Sequence, residues 1–130
     1  MKFAQFHAGQ VIEAGPDTLT EQQILDFAKE WDPQWFHTDP EAAAQGPHGG
    51  LIASGWQTCG IAMRLVAEAA LKDSESFASP GLQYVKWTKP VRPNDVLRVV
   101  ATVLEVRRSG NKPLGILRWR WQLFNAKGTE

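Results

Sequence analysis

From Thr20 onward the apolar residues Ile24, Phe27, Ala28 and Trp31 recur at the spacing of one helix face, with Glu21, Gln22, Lys29 and Glu30 elsewhere. Thr20 is a good N-cap, Gln23 completes a capping box, and Leu19 and Ile24 take the two positions of a hydrophobic staple. Asp32-Pro33 should stop this helix, because the residue before proline avoids the helical region. A very short second helix is predicted from an Asp39 cap through Pro40 and Ala44, ended by Gly46-Pro47. That leaves Pro33 to Thr38 as a tight, ordered loop. Gly49-Gly50 is predicted to open a long helix reaching about Leu71, rich in small residues in its first half. Upstream, residues 3–13 predict a weak strand or extended arm, broken at Gly15-Pro16-Asp17.

The pattern changes period after a loop at 74–81. Leu82 to Thr88 alternates, Val96 to Val106 is a nearly continuous β-branched run, and Leu114 to Phe124 alternates again. In the last run Leu117, Trp119, Trp121 and Leu123 share a face opposite Arg118, Arg120 and Gln122. A kinked turn is predicted at Lys89 to Asp95, a turn at Ser109-Gly110-Asn111 and a hairpin turn at Asn125 to Gly128. One apolar helix followed by three strands implies an α+β fold in which an antiparallel sheet covers the helix.

With 130 residues the chain has the length of one domain, taken as 1–130. Fourteen basic and fourteen acidic residues cancel, which lacks the basic excess of nucleic-acid binders. The apolar run 51–71 contains Gln57, Arg64 and Glu68, so it reads as a buried helix and not as a membrane span. One cysteine, Cys59, excludes an internal disulfide, and the N-terminus shows no secretory pattern; a reducing, cytoplasmic setting is expected. Six tryptophans suggest an aromatic-lined core or pocket.

Candidate chemistry concentrates in the first half, with all three histidines. Asp32 and His37 sit five residues apart on one short loop, beside Trp35 and Phe36, which could exclude water. A carboxylate and an imidazole so placed can hold and move a proton on a small molecule. By spacing alone the same residues also read as a helix stop and a turn cap. His48-Gly49-Gly50 adds free amides at a helix start, which can stabilise an oxyanion, or make a plain turn. Ser54 lacks the glycine pattern of a nucleophile elbow and reads as helix packing, and Cys59 reads as an inert core thiol. The histidines have no paired metal spacing, and there is no phosphate-binding glycine loop; neither a metal nor a cofactor is expected. Lys86, Lys89, Arg92, Arg107, Arg108 and Lys112 could meet ligand phosphates or simply line solvated strand edges.

The run Asp32-Pro33-Gln34-Trp35-Phe36-His37-Thr38-Asp39-Pro40, then Gly49-Gly50-Leu51-Ile52-Ala53-Ser54-Gly55, then Lys89-Pro90-Val91-Arg92-Pro93-Asn94-Asp95, resembles the MaoC-like dehydratases, including the (R)-specific enoyl-CoA hydratases. The resemblance spans about residues 10–128. It implies a hotdog fold, a sheet wrapped on a long central helix, in homodimers that bind acyl thioester at the interface. It implies catalysis by Asp32 and His37, with Gly49 and Gly50 supplying the oxyanion amide. The implied activity is reversible hydration of a 2-enoyl thioester carried by CoA or acyl carrier protein. A non-catalytic acyl-thioester subunit and an acyl-CoA thioesterase are the alternatives. Trp31, Trp35 or Trp56 is expected along the acyl path. The family pattern has one more strand after the last hairpin, so a shortened or modified sheet edge is expected here. Asn94 stands where glycine is usual, a change that turn geometry tolerates.

Overall fold

The computed structural model describes residues 1–110 and 113–130. Asn111 of the expected turn and Lys112 of the basic set lie outside the described residues. A 3-10 turn, Phe3–Gln5, leads into β1, Val11–Thr18. Helices α1, Glu21–Trp31, α2, Trp35–Thr38, and α3, Pro40–Ala44, follow. Then come α4, Gly55–Val66, with a π-helical turn over Ala67–Leu71, and the strands β2, Val96–Arg108, and β3, Gly115–Phe124.

The three strands form one antiparallel sheet in the order β1-β2-β3. Alternation sends Leu97, Val99, Ala101 and Val103 of β2 inward, all buried. Ile61, Ala62, Leu65 and Val66 form the buried face of α4. Ala62, Leu65 and Val66 join Val99 and Ala101 in one apolar cluster, with Trp119, Trp121 and Leu123 packed against it. Each large buried aliphatic side chain here contributes about 1.5–3 kcal/mol of transfer free energy. This is the α+β, sheet-on-helix arrangement expected of a hotdog fold.

The start of α1 forms as its sequence dictates. Thr20 Oγ1 accepts from the Gln23 N–H at 3.1 Å, and Gln23 Oε1 accepts from the Thr20 N–H at 2.8 Å. Leu19 and Ile24 are buried together in a second cluster with Val91 and Leu97. Trp31 departs from the expected face and is 69% exposed. Asn94 adopts φ 65°, the left-handed conformation that asparagine tolerates, in a turn where Asp95 Oδ2 accepts from the Arg92 N–H at 2.9 Å.

Four expectations are corrected. Gly15-Pro16 does not end β1; the strand absorbs both residues as a register shift between Ala14 and Asp17, which an edge strand accommodates. The Pro33 to Thr38 loop contains a helical turn, because the Asp39 N–H reaches the Trp35 carbonyl at 2.9 Å. The long helix begins at Gly55, not at Gly49-Gly50, because residues 51–54 are held in extended form from both sides. The Ile52 N–H donates to the Phe36 carbonyl at 3.2 Å and the Ala53 N–H to the Val91 carbonyl at 2.8 Å. Finally, Leu82 to Thr88 forms no strand. Gln83 meets Arg118 of β3 through side chains, while Leu82 and Tyr84 stay largely open among the described residues. Phe77, Leu82, Tyr84 and Trp87 are 79%, 76%, 63% and 50% exposed.

Candidate functional site

The end of α1 and the single turn of α2 bring Asp32 and His37 together. The Asp32 N–H closes α1 on the Ala28 carbonyl at 2.9 Å, and the His37 N–H bonds the Gln34 carbonyl at 2.9 Å. His37 Nε2 then lies 3.3 Å from Asp32 Oδ2, with the side chains 6% and 17% exposed. Phe36 packs edge-on against the His37 ring at 4.5 Å between centroids, shielding one side of it.

The imidazole has a defined orientation. Nδ1 lies 2.7 Å from the Ile52 carbonyl oxygen, which can only accept, so Nδ1 carries a proton. In the neutral ring Nε2 is therefore a bare lone pair facing a carboxylate oxygen. Two acceptors at this separation converge on a position where a water can donate to both.

Asp32 is held from three sides. Ser54 Oγ donates to Oδ2 at 2.7 Å, and Gln34 Nε2 donates to Oδ1 at 2.7 Å. Burial acts to raise its carboxyl, but these two hydrogen bonds, joined by the His37 charge when that ring is protonated, outweigh it and hold Asp32 below the ordinary carboxylate range. Ser54 is fully buried and caps α4, accepting from the Trp56 N–H at 3.3 Å. The first turn of α4 is thus linked through one hydroxyl to the carboxylate.

Gly49 and Gly50 precede this segment with φ 69° and 157°. The Gly49 N–H donates to the Gly46 carbonyl at 3.1 Å. The Gly50 N–H has no protein acceptor among the described residues. Of the two expected amides, Gly50 is the one left open, and it stands in a bend before the extended 51–54 stretch, not at a helix start.

Ser54, Gln34 and the Ile52 carbonyl are the participants that sequence reasoning missed. Serine before a helix is an N-cap signal and would have marked Ser54 had the helix start been placed at Gly55. Gln34 carried only its spacing from Asp32, and a backbone carbonyl carries no residue signal at all. Cys59 is part-exposed and not a core thiol. Trp31, Trp35 and Trp56 are all exposed. Among the described residues no group of three or more His, Cys, Asp or Glu could hold a metal ion. No described helix is long and apolar enough to cross a membrane.

The chain matches the model of the MaoC like domain over residues 2–118. It is 35% identical over 127 residues to the uncharacterized protein YdeM of Bacillus subtilis, covering 98% of this chain and 89% of that one. It is 33% identical over 96 residues to 3-hydroxyacyl-thioester dehydratase Z of Mycobacterium tuberculosis, covering 72% of this chain and 64% of that one. The crystal structure of a MaoC-like dehydratase from Rhodospirillum rubrum superposes with a TM-score of 0.87 at 34% identity, over 96% of this chain and 86% of that one. Sequence and fold agree along nearly the whole chain, and it belongs to the family of MaoC-like domains.

Proposed function

We propose that the protein catalyses the reversible hydration of a 2-enoyl thioester to a 3-hydroxyacyl thioester, in the manner of an (R)-specific enoyl-CoA hydratase. The observation that carries this reading is the buried His37 Nε2–Asp32 Oδ2 contact at 3.3 Å, with Nδ1 committed to the Ile52 carbonyl. The similarity to a 3-hydroxyacyl-thioester dehydratase supports the substrate class.

In the proposed reaction Asp32 stays a carboxylate and orients the water, while His37 Nε2 takes one of its protons. The water oxygen bonds to the β-carbon. The electron pair of the C=C bond moves toward the α-carbon and the thioester carbonyl, placing negative charge on the carbonyl oxygen. The Gly50 amide donates to that oxygen. The imidazolium, stabilised by Asp32, then returns its proton to the α-carbon, so water is added in full and both residues regain their starting states. The acyl thioester is bound by a homodimer, whose second copy covers the apolar residues left open between Phe77 and Trp87.

The test is loss of enoyl absorbance with crotonyl-CoA and longer enoyl-CoA. Asp32→Asn and His37→Ala should each lower the rate by about 100-fold or more. Full activity in both variants overturns the assignment. Release of free CoA thiol without hydration would identify a thioesterase, and tight binding with no turnover a non-catalytic subunit.

A further inference from the structure

We propose that Arg92 is a positioning residue that fixes the direction of the Gly50 amide; the inference rests on the hydratase reading and assigns a further residue to it. Arg92 Nη2 donates to the His48 carbonyl. The N–H at the other end of the same peptide unit, that of Gly49, donates to Gly46. A planar peptide held at both its oxygen and its nitrogen cannot swivel. The next peptide, which carries the Gly50 N–H, hangs from this fixed plane.

The need for such a clamp follows from the two glycines. Without a Cβ, residues at φ 69° and 157° have several backbone conformations open to them, and an amide that wanders is a poor oxyanion donor. The guanidinium narrows that choice from the other side as well. Arg92 Nη1 is 3.3 Å from where a Gly50 Cβ would stand, so the guanidinium occupies the side of Gly50 that a side chain would take. One side chain thereby bonds the His48 carbonyl and flanks Gly50. A lysine could reproduce the charge and one donor, but not the flat fork.

The clamp is anchored in the core. The Arg92 N–H bonds Asp95 Oδ2, and the Asn94 N–H bonds the Leu19 carbonyl at 2.7 Å. Its neighbour Val91 is buried, and its carbonyl accepts from the Ala53 N–H. The 91–95 turn therefore holds both ends of the stretch from His48 to Ala53, the same stretch whose Ile52 carbonyl sets the His37 tautomer.

The experiment compares wild type, Arg92→Gln and Arg92→Lys by two readouts. In 15N-labelled protein, Arg92→Gln should shift the Gly49 and Gly50 amide signals and raise their fast motion, and Arg92→Lys should restore them in part. With crotonyl-CoA, Arg92→Gln should lower kcat by about 10- to 100-fold, as expected for a misaimed group, with KM nearly unchanged. Arg92→Lys should fall between, and all three proteins should melt at similar temperatures. Unmoved Gly50 amide signals in Arg92→Gln, an unchanged kcat, or a change confined to KM would each overturn the proposal. If wild type shows no hydration, the hydratase reading fails, and the amide signals alone still decide whether Arg92 fixes Gly50.

Discussion

Trp87 Nε1 donates to the Gly55 carbonyl at 2.9 Å, and its ring occupies the place of a Gly55 Cβ, which would lie 2.4 Å from Cε2. The indole also meets Trp56 edge-on at 5.3 Å between centroids. The extended 82–88 stretch is thus tied to the first turn of α4, one residue beyond the serine that supports Asp32. Gly55→Ala should expel the indole, removing one hydrogen bond and one aromatic pair. The expected cost is about 1–2 kcal/mol in urea unfolding, with red-shifted tryptophan emission. An unchanged midpoint would contradict the contact.

Ser54→Ala removes a helix cap and a donor to Asp32 at once. Loss of the cap should destabilise the protein by about 1 kcal/mol. Loss of the donor leaves burial less opposed, so the Asp32 carboxyl should rise. The acidic limb of the pH–rate profile should then move to higher pH, which separates this effect from simple destabilisation. A profile that keeps its position would remove Ser54 from the site.

Stability should also depend on pH below the ordinary carboxylate range. The Asp17 carboxyl is raised by burial but lowered further by the Arg64 hydrogen bond, the Thr18 N–H and the Arg64 charge, and ends below its ordinary value. A carboxyl with a lowered folded pKa, as at Asp17 and Asp32, adds stability that is present above about pH 4 and is lost as pH falls through the folded value. Arg64→Gln should destabilise at pH 7, by less than about 1 kcal/mol because the pair is solvent-exposed. Chemical denaturation at neutral and strongly acidic pH should show that difference vanish in acid.

Phe77, Leu82 and Tyr84 lie open on one chain. Light scattering should give about twice the 14.5 kDa chain mass. Leu82→Glu, at a residue with little to lose within the chain, should shift the protein toward monomer and lower hydratase activity with it. A monomeric wild type that still hydrates enoyl-CoA would refute the shared-pocket reading.

The legible parts of this molecule are those written locally. The Thr20–Gln23 box, the Asp39 cap, the β-branched run of β2 and the alternation of β3 depend on neighbours within a few residues, and each element forms where its sequence implies. The Asp32–His37 pair was legible for the same reason, since a helix stop and one turn suffice to close it. The start of α4 was not. Leu51 to Ser54 stays extended because of bonds to Phe36 and Val91, partners 16 and 38 residues away in sequence, and no local pattern records them. Leu82 to Thr88 shows the converse: its alternation is real, but a strand needs a backbone ladder, and among the described residues this segment is tied to the rest through the side chains of Gln83, Trp87 and Thr88.

The register shift at Gly15-Pro16 bears on how far such molecules can associate. β1 is the last strand on its side of the sheet, and a proline there has no N–H to present to an incoming strand. A sheet open on both sides can recruit neighbour after neighbour into a fibre. Here the β1 side is blunted, so strand-by-strand growth from that side is disfavoured. Pro16 thus guards one margin of the sheet against unintended pairing with other chains.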